Sequence, residues 1–198
     1  MIKRPMKGAA VEDLQLIRFP CMAFPKIDGF RCLLGPQPLT SRLSPFPNRH
    51  FNKMLRNLMP VDRLLDGEVV VGRNRGPGVL QRTSSGLTSQ DGVPDFRLWV
   101  FDHPGSGNFH YRYYRASEMV EVLDDPQVRI LRYEMIHNYG QLEAYLAKCL
   151  KKGYEGIITR DPEGLYKEGK ATLRQQWMLK VKPFDTAEGR VTGWFEEM

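Results

Sequence analysis

Apolar residues recur at helical spacing in two stretches of this 198-residue chain. In 138–152, Leu142, Tyr145, Leu146, Cys149 and Leu150 fall at i, i+3, i+4, i+7 and i+8, one stripe along a 3.6-residue period. Asn138 with Gln141 three residues later resembles a capping box, and Gly153 is a natural stop. In 112–123, Ala116, Met119, Val120 and Leu123 repeat the pattern, and a weaker stripe covers 51–58. Short alternating or continuous apolar runs predict strands at 21–24, 29–34, 64–71, 97–102, 128–135, 155–160, 177–182 and 188–195. The Pro-, Ser- and Gly-rich stretch 34–48 reads as turns around a short strand. The stretch 72–94 reads as surface loop with a short helix near Val79–Thr83. Strands outnumber helices and do not alternate strictly with them, which predicts α+β rather than a doubly wound parallel sheet.

Composition narrows the class. Apolar residues make up 41%, charged residues 26% and aromatics 11%, enough for a packed core and too apolar for a disordered chain. No apolar run approaches the roughly 18 residues of a membrane span, and no apolar stretch follows the basic N-terminus as in a signal peptide. Cys21, Cys32 and Cys149 are odd in number and widely separated, which points to reduced thiols rather than disulfides or zinc. His50, His103, His110 and His137 show no ligand spacing. The net charge is +6, and residues 1–60 carry 10 Lys/Arg against 3 Asp/Glu. That excess fits either a solvated face or the electrostatic footprint of a polyanion.

Five segments carry candidate chemistry. Lys26-Ile27-Asp28-Gly29-Phe30-Arg31 puts Lys26 and Asp28 on one face of an extended chain before a glycine that permits a sharp turn. Leu65-Asp66-Gly67-Glu68 places two carboxylates on one strand face, where they repel unless a cation intervenes; taken alone it reads as a solvent-facing strand. Arg97-Leu98-Trp99-Val100-Phe101-Asp102 is apolar on both faces and reads as a buried central strand, with core packing the default for Trp99 and Phe101. In Tyr154-Glu155-Gly156-Ile157-Ile158, Glu155 reads as a solvated strand end. In Trp177-Met178-Leu179-Lys180-Val181-Lys182-Pro183, alternation sets Met178, Lys180 and Lys182 opposite an apolar face, which suits an anion site or an exposed strand equally. Gly164 to Lys170 fits the start of a phosphate-binding P-loop, but Ala171 stands where Ser or Thr belongs and no apolar helix follows.

Together and in this order, the five segments resemble the covalent nucleotidyltransferase superfamily, and within it the ATP-dependent DNA ligases of the compact bacteriophage type. The resemblance runs from about residue 5 to 184. Ser41-Arg42 matches a further short motif, and Tyr166-Lys167 with Gly169-Lys170 resembles the segment preceding the last lysine motif. The implied fold is a nucleotidyltransferase (ATP-grasp-like) domain over 1–184, antiparallel sheets flanked by helices, with 185–198 the start of an OB-fold domain that is otherwise absent. The implied reaction forms a lysyl-AMP from ATP, passes AMP to the 5′-phosphate at a nick in duplex DNA, and seals the nick with the 3′-hydroxyl.

The resemblance also implies roles. Lys26 is the nucleophile, with Lys180 and Lys182 binding the α-phosphate and disfavouring its ammonium form. Arg31, Glu68 and Phe101 hold the nucleotide, Phe101 by stacking on adenine; Glu155 and Glu68 serve Mg²⁺ or Mn²⁺. Ser41 and Arg42 face the DNA, Arg42 at the nick 5′-phosphate. A monomer working in the cytoplasm, with no membrane partner, is expected. Two departures stand out. Phe24 occupies the place of a glutamate that often reads the adenine amino group, so adenine selection falls to backbone groups or another side chain. Only about 16 residues follow Lys182, so poor self-adenylation is expected for want of the domain that orients pyrophosphate. An RNA ligase or capping-type guanylyltransferase shares the lysine chemistry, and a non-catalytic nick-binding module shares the fold.

Overall fold

The computed structural model describes residues 3–60 and 63–183. Two five-stranded sheets face each other, and the chain passes repeatedly between them. The strands and helices, in chain order, are β1 (Met6–Lys7), β2 (Ala9–Ala10), β3 (Cys21–Lys26), β4 (Phe30–Leu34), β5 (Pro38–Thr40), α1 (Arg49–Leu55), β6 (Leu65–Val71), α2 (Val79–Thr88) and β7 (Phe96–Asp102). They continue with α3 (Phe109–Leu123), β8 (Val128–Ile130), β9 (Glu134–Ile136), α4 (Tyr139–Lys151), β10 (Gly156–Arg160), β11 (Gly169–Lys170) and β12 (Leu179–Val181). The first sheet runs β2-β12-β10-β3-β9 and the second β5-β4-β6-β7-β8; β1 and β11 form a two-stranded parallel ribbon. The centres of both sheets are antiparallel, as expected, while β2–β12 and β7–β8 add parallel pairings at the edges.

Helices cover the outer faces because each presents one apolar stripe. On α4, Leu142, Tyr145 and Cys149 pack with Cys21, Ala23 and Ile157 behind the first sheet. On α1, Phe51 and Leu55, and on α3, Ala116, Met119 and Val120, pack behind the second. Three asparagines start these helices. The side chains of Asn48, Asn108 and Asn138 accept from the amides of Phe51, Tyr111 and Gln141 at 2.8, 2.9 and 3.0 Å, contacts worth about 1 kcal/mol each. The Gln141 side chain accepts from His137 N at 2.8 Å, a variant of the expected box, and Gly153 follows at φ +84°.

Several boundaries differ from the periodicity. The strand expected at 128–135 is two strands in different sheets, β8 and β9, because residues 131–133 carry the chain from one to the other. The strand expected at 177–182 narrows to β12, and the short helix near Val79 runs on to Thr88, with Val79, Thr83 and Leu87 buried along one face. The 112–123 helix begins earlier, at Phe109. The P-loop-like stretch leads into β11, with no helix after Lys170. The strand expected at 188–195 and the OB-fold start at 185–198 lie outside the described residues. No described helix is long and apolar enough to cross a membrane.

The segment Ile27–Gly29 is the crossing between the sheets, leading from β3 straight into β4. Glycine is required at position 29 for closeness rather than for a left-handed turn: a Cβ there would collide with the Val69 carbonyl oxygen of β6. This crossing sets Lys26 at the end of one sheet and Arg31 on the facing one.

Candidate active site

Between the sheets lies a cleft of about 350 Å³. Lys26 and Phe24 of β3, Ile158 and Arg160 of β10, and Lys180 of β12 line one wall; Arg31 of β4, Glu68 of β6 and Phe101 of β7 line the other. Ser41 also reaches the cleft, whereas Arg42 beside it is solvent-exposed and does not line it.

The cationic end is built by register. Gly156 pairs with Lys26 and Ile158 with Lys180, so β10 holds β3 and β12 at either side with both lysines near its start. The Lys26 ammonium donates to Glu155 Oε2, and Lys182 Nζ donates to Glu155 Oε1 at 3.3 Å. Burial opposes the charge on Glu155, but these two lysines outweigh it and hold the carboxyl below its ordinary value. Lys26 is therefore met first by an anion, an addition to the expected neighbours Lys180 and Lys182, and Glu155 is an ion-pair partner rather than a solvated strand end. Burial, then the charge of Lys26, lowers the Lys180 pKa against the pull of Glu155, with Lys170 and Lys182 adding to it. Lys7, across from Lys170 in the β1–β11 ribbon, also lines the cleft.

The facing wall carries the carboxylates. Asp66 is fully buried, not solvent-facing, because the Arg31 guanidinium grips it from the neighbouring strand, with Nη2 to Oδ2 at 2.6 Å. Tyr166 adds a hydroxyl to Asp66 Oδ2 at 3.1 Å. A register shift between Asp66 and Gly67 marks an irregularity in β6, next to this pair. Glu68, paired across the ladder with Arg31, is left facing the cleft without an ion-pair partner among the described residues. Burial pushes its carboxyl up to about 7, against the pull of Arg31 and Lys26. The Arg31 guanidinium carbon sits 4.7 Å from the centroid of the Phe101 ring, which fixes the ring at the cleft wall. β7 alternates buried and half-buried residues rather than being buried on both faces: Trp99 and Phe101 share the half-buried face.

The deep wall is polar. Asp102, fully buried, accepts from Arg112 Nε at 2.9 Å and from Arg160 Nη2 at 2.8 Å. Burial opposes its charge, but Arg160 and Arg112 outweigh it and keep the carboxyl below its ordinary value. Arg160 also donates Nε to the Trp177 carbonyl at 3.0 Å and lies 3.8 Å from the centroid of the Phe109 ring. Phe24 is 2% exposed and packs against Phe109, Tyr113 and Tyr133 at centroid distances of 5.8, 5.6 and 5.7 Å. An aromatic cluster thus fills the place where a glutamate would have stood.

The structure brings Lys26, Lys180, Lys182 and Glu155 together at one end of the cleft, with Arg31, Glu68 and Phe101 on the facing wall. Sequence reasoning missed Lys7, Asp102, Arg112 and Arg160. The signal for Asp102 was a carboxylate ending an apolar strand, which water or a buried arginine could equally explain.

The sequence profile described as ATP dependent DNA ligase domain matches residues 15–182. Among solved structures, the crystal structure of Chlorella virus DNA ligase-adenylate aligns with a TM-score of 0.80 at 30% identity, covering 93% of this chain and 70% of that one. The ATP-dependent DNA ligase from bacteriophage T7 in complex with ATP aligns at 0.65 and 19% identity, covering 91% and 69%, a likeness of fold alone. No curated protein sequence gives a significant match. With most of its length matched by that profile and its cleft lined as described, the chain belongs to the ATP-dependent DNA ligase family, and its two facing sheets are that family's nucleotidyltransferase domain.

Proposed function

We propose that the protein seals nicks in duplex DNA with ATP through an AMP carried on Lys26. The observation that carries the reading is the set Lys26, Lys180, Lys182 and Glu155 at the end of a cleft with an aromatic wall. In the first step the Lys26 Nζ lone pair attacks the α-phosphorus; an N–P bond forms, the bond to the β-phosphate oxygen breaks, and pyrophosphate leaves. The amine must first lose a proton and leave its ion pair. Glu155 Oε2, the partner of that ammonium, passes the proton on to water rather than keeping it, since its carboxyl is held below the ordinary value, and Lys182, bonded to the other oxygen, keeps the carboxylate in position as Lys26 swings away. Lys180 and Lys182 neutralise charge growing on the α-phosphate, the main demand of such a transfer.

The remaining roles are those the family resemblance implies, and the lining of the cleft supports them for Arg31, Glu68, Phe101 and Ser41. Phe101 stacks on adenine, held by Arg31. Glu68 and Arg31 meet the ribose. Ser41 at the cleft and Arg42 outside it face the DNA, Arg42 at the nick 5′-phosphate. Glu155 and Glu68 are the oxygen donors available to Mg²⁺ or Mn²⁺. Two carboxylates would suffice for such a cation, which usually keeps several of its waters, and it would supply further charge neutralisation at the reacting phosphates. The profile match ending at residue 182 supports a domain boundary near 184, with 185–198 opening an OB-fold domain. A monomer acting on DNA in the cytoplasm completes the reading.

The test is incubation with α-labelled ATP and Mg²⁺. Wild type should retain label through denaturation, and Lys26→Ala should retain none. Label persisting on Lys26→Ala removes Lys26 as the nucleophile. Nicked DNA against nicked RNA, and ATP against GTP, then read the substrate: faster RNA sealing or GTP transfer overturns the DNA ligase assignment.

A further inference from the structure

Helix α1 has two unlike faces. Phe51 and Leu55 are buried in the core, while Arg49 and Lys53 on the helix and Arg56 at its C-cap form an exposed stripe. The three cations, with Asn52 and Asn57, line one shallow depression of about 360 Å³. Among the described residues the stripe has a single ion pair, Arg49 with Asp91 at 3.3 Å, and both side chains are largely exposed, 74% and 81%. Such a pair holds little. A helix end attracts one cation through its dipole, but that does not call for three along a whole face. The stripe also accounts for 3 of the 10 basic residues that concentrate in the first 60.

The depression is placed by the edge strand β5. Leu39 bridges to Pro45 just before the helix, and Asn57 N donates to the Pro36 carbonyl at 2.9 Å at its far end. The turn bearing Ser41 and Arg42 lies at the other end of β5. β5 is extended only over Pro38–Thr40, and residues 35–37 bend back to β4. The turn at Arg42 and the loop against the far end of α1 are thus joined by one short strand, so a rigid rod of phosphates passing Arg42 and running along β5 reaches the basic stripe within a few base pairs.

We infer that the stripe of Arg49, Lys53 and Arg56 is a second contact for the phosphodiester backbone of duplex DNA, beyond the contact at Arg42 along β5. The inference rests on duplex DNA as the substrate. It adds affinity and register without touching the chemistry, because phosphate contacts position a protein and carry no base information.

The experiment measures binding of a labelled nicked duplex with long arms, across salt, for wild type and for Arg49→Ala/Lys53→Ala/Arg56→Ala. The protein–AMP yield is read in parallel. The variant should bind on the order of tenfold more weakly at low salt, and its log–log salt slope should shrink by about 2 to 3, near 0.9 per lost phosphate contact. Protein–AMP formation should match wild type. The affinity gap should vanish when the arm on the α1 side is cut back, base pair by base pair, to the nick. An unchanged salt slope, or a gap that survives the short arm, overturns the inference while leaving the ligase reading intact. An acidic protein partner for the stripe would give that unchanged slope. Wild type that forms protein–AMP but binds no duplex overturns both.

Discussion

Glu68 has no ion-pair partner among the described residues, and desolvation outweighs the pull of Arg31 and Lys26 to push its carboxyl from 4.5 up to about 7. A carboxyl raised on folding binds its proton more tightly in the native state. Its contribution is therefore intact below about pH 4.5 and is lost as pH rises through about 7. Glu68→Gln keeps the shape and removes the charge. The variant should melt higher than wild type at pH 8, by a few degrees for a cost of at most about 3 kcal/mol. The gain should fade towards pH 4.5, where both side chains are neutral. A gain that is flat with pH would mean that Glu68 is not strained by its charge. The same variant should lose protein–AMP yield, since a neutral amide is a poorer partner for a ribose hydroxyl or a divalent cation. Stability gained where activity is lost is the mark of a residue placed for function.

At the scale of elements, Asp102 ties three pieces together: β7 through its own backbone, α3 through Arg112 and β10 through Arg160. Arg112 further donates Nη1 to the carbonyls of Gly107 and Gly164 at 2.7 and 3.1 Å. Asp102→Ala would leave two buried arginines without their anion, a loss of about 3–5 kcal/mol. Thermal melting should therefore fall by roughly 6–20 °C. Asp102→Asn, which keeps a hydrogen-bond acceptor, should fall less; equal losses would show that packing, not charge, is what Asp102 supplies. None of this could be read along the chain, because the partners of Asp102 lie 10 and 58 residues away and nothing local marks a carboxylate as buried. The α4 helix was legible because stripe, cap and stop agreed over thirteen residues. The strand at 128–135 was misread as one because apolar alternation runs on through the switch between sheets, and period carries no record of which sheet a strand joins. Two-residue strands such as β1 and β11 have no period at all. Lys26, Glu68, Glu155, Lys180 and Lys182 were legible because the motifs keep a fixed order. The ion pair between Lys26 and Glu155 was not, since it spans 129 residues.

At the scale of the whole molecule, the two sheets meet through chain crossings, a buried polar network and a largely aromatic cluster. The crossings include Ile27–Gly29 and residues 131–133, the network is that of Asp102, and the cluster draws Phe24 and Met22 from one sheet and Val70, Trp99 and Phe101 from the other. Each sheet's other face is sealed by its own helices. A nucleotide bound as proposed would add a bridge between the two, since Lys26 and Lys180 line one side of the cleft and Glu68 and Phe101 the other. Ligand that binds the native state alone adds about 2.7 kcal/mol at a hundredfold excess over its Kd, and that gain should be felt by whichever strands it joins. Amide hydrogen exchange on the free protein and on the protein–AMP form separates the possibilities. Added protection should appear together in β3 and β10 of the first sheet and in β6 and β7 of the second, while α4, remote behind the first sheet, changes little. Protection confined to β3 and β10 would mean that AMP rests on the lysine sheet alone, and that Glu68 and Phe101 act on some later state of the reaction.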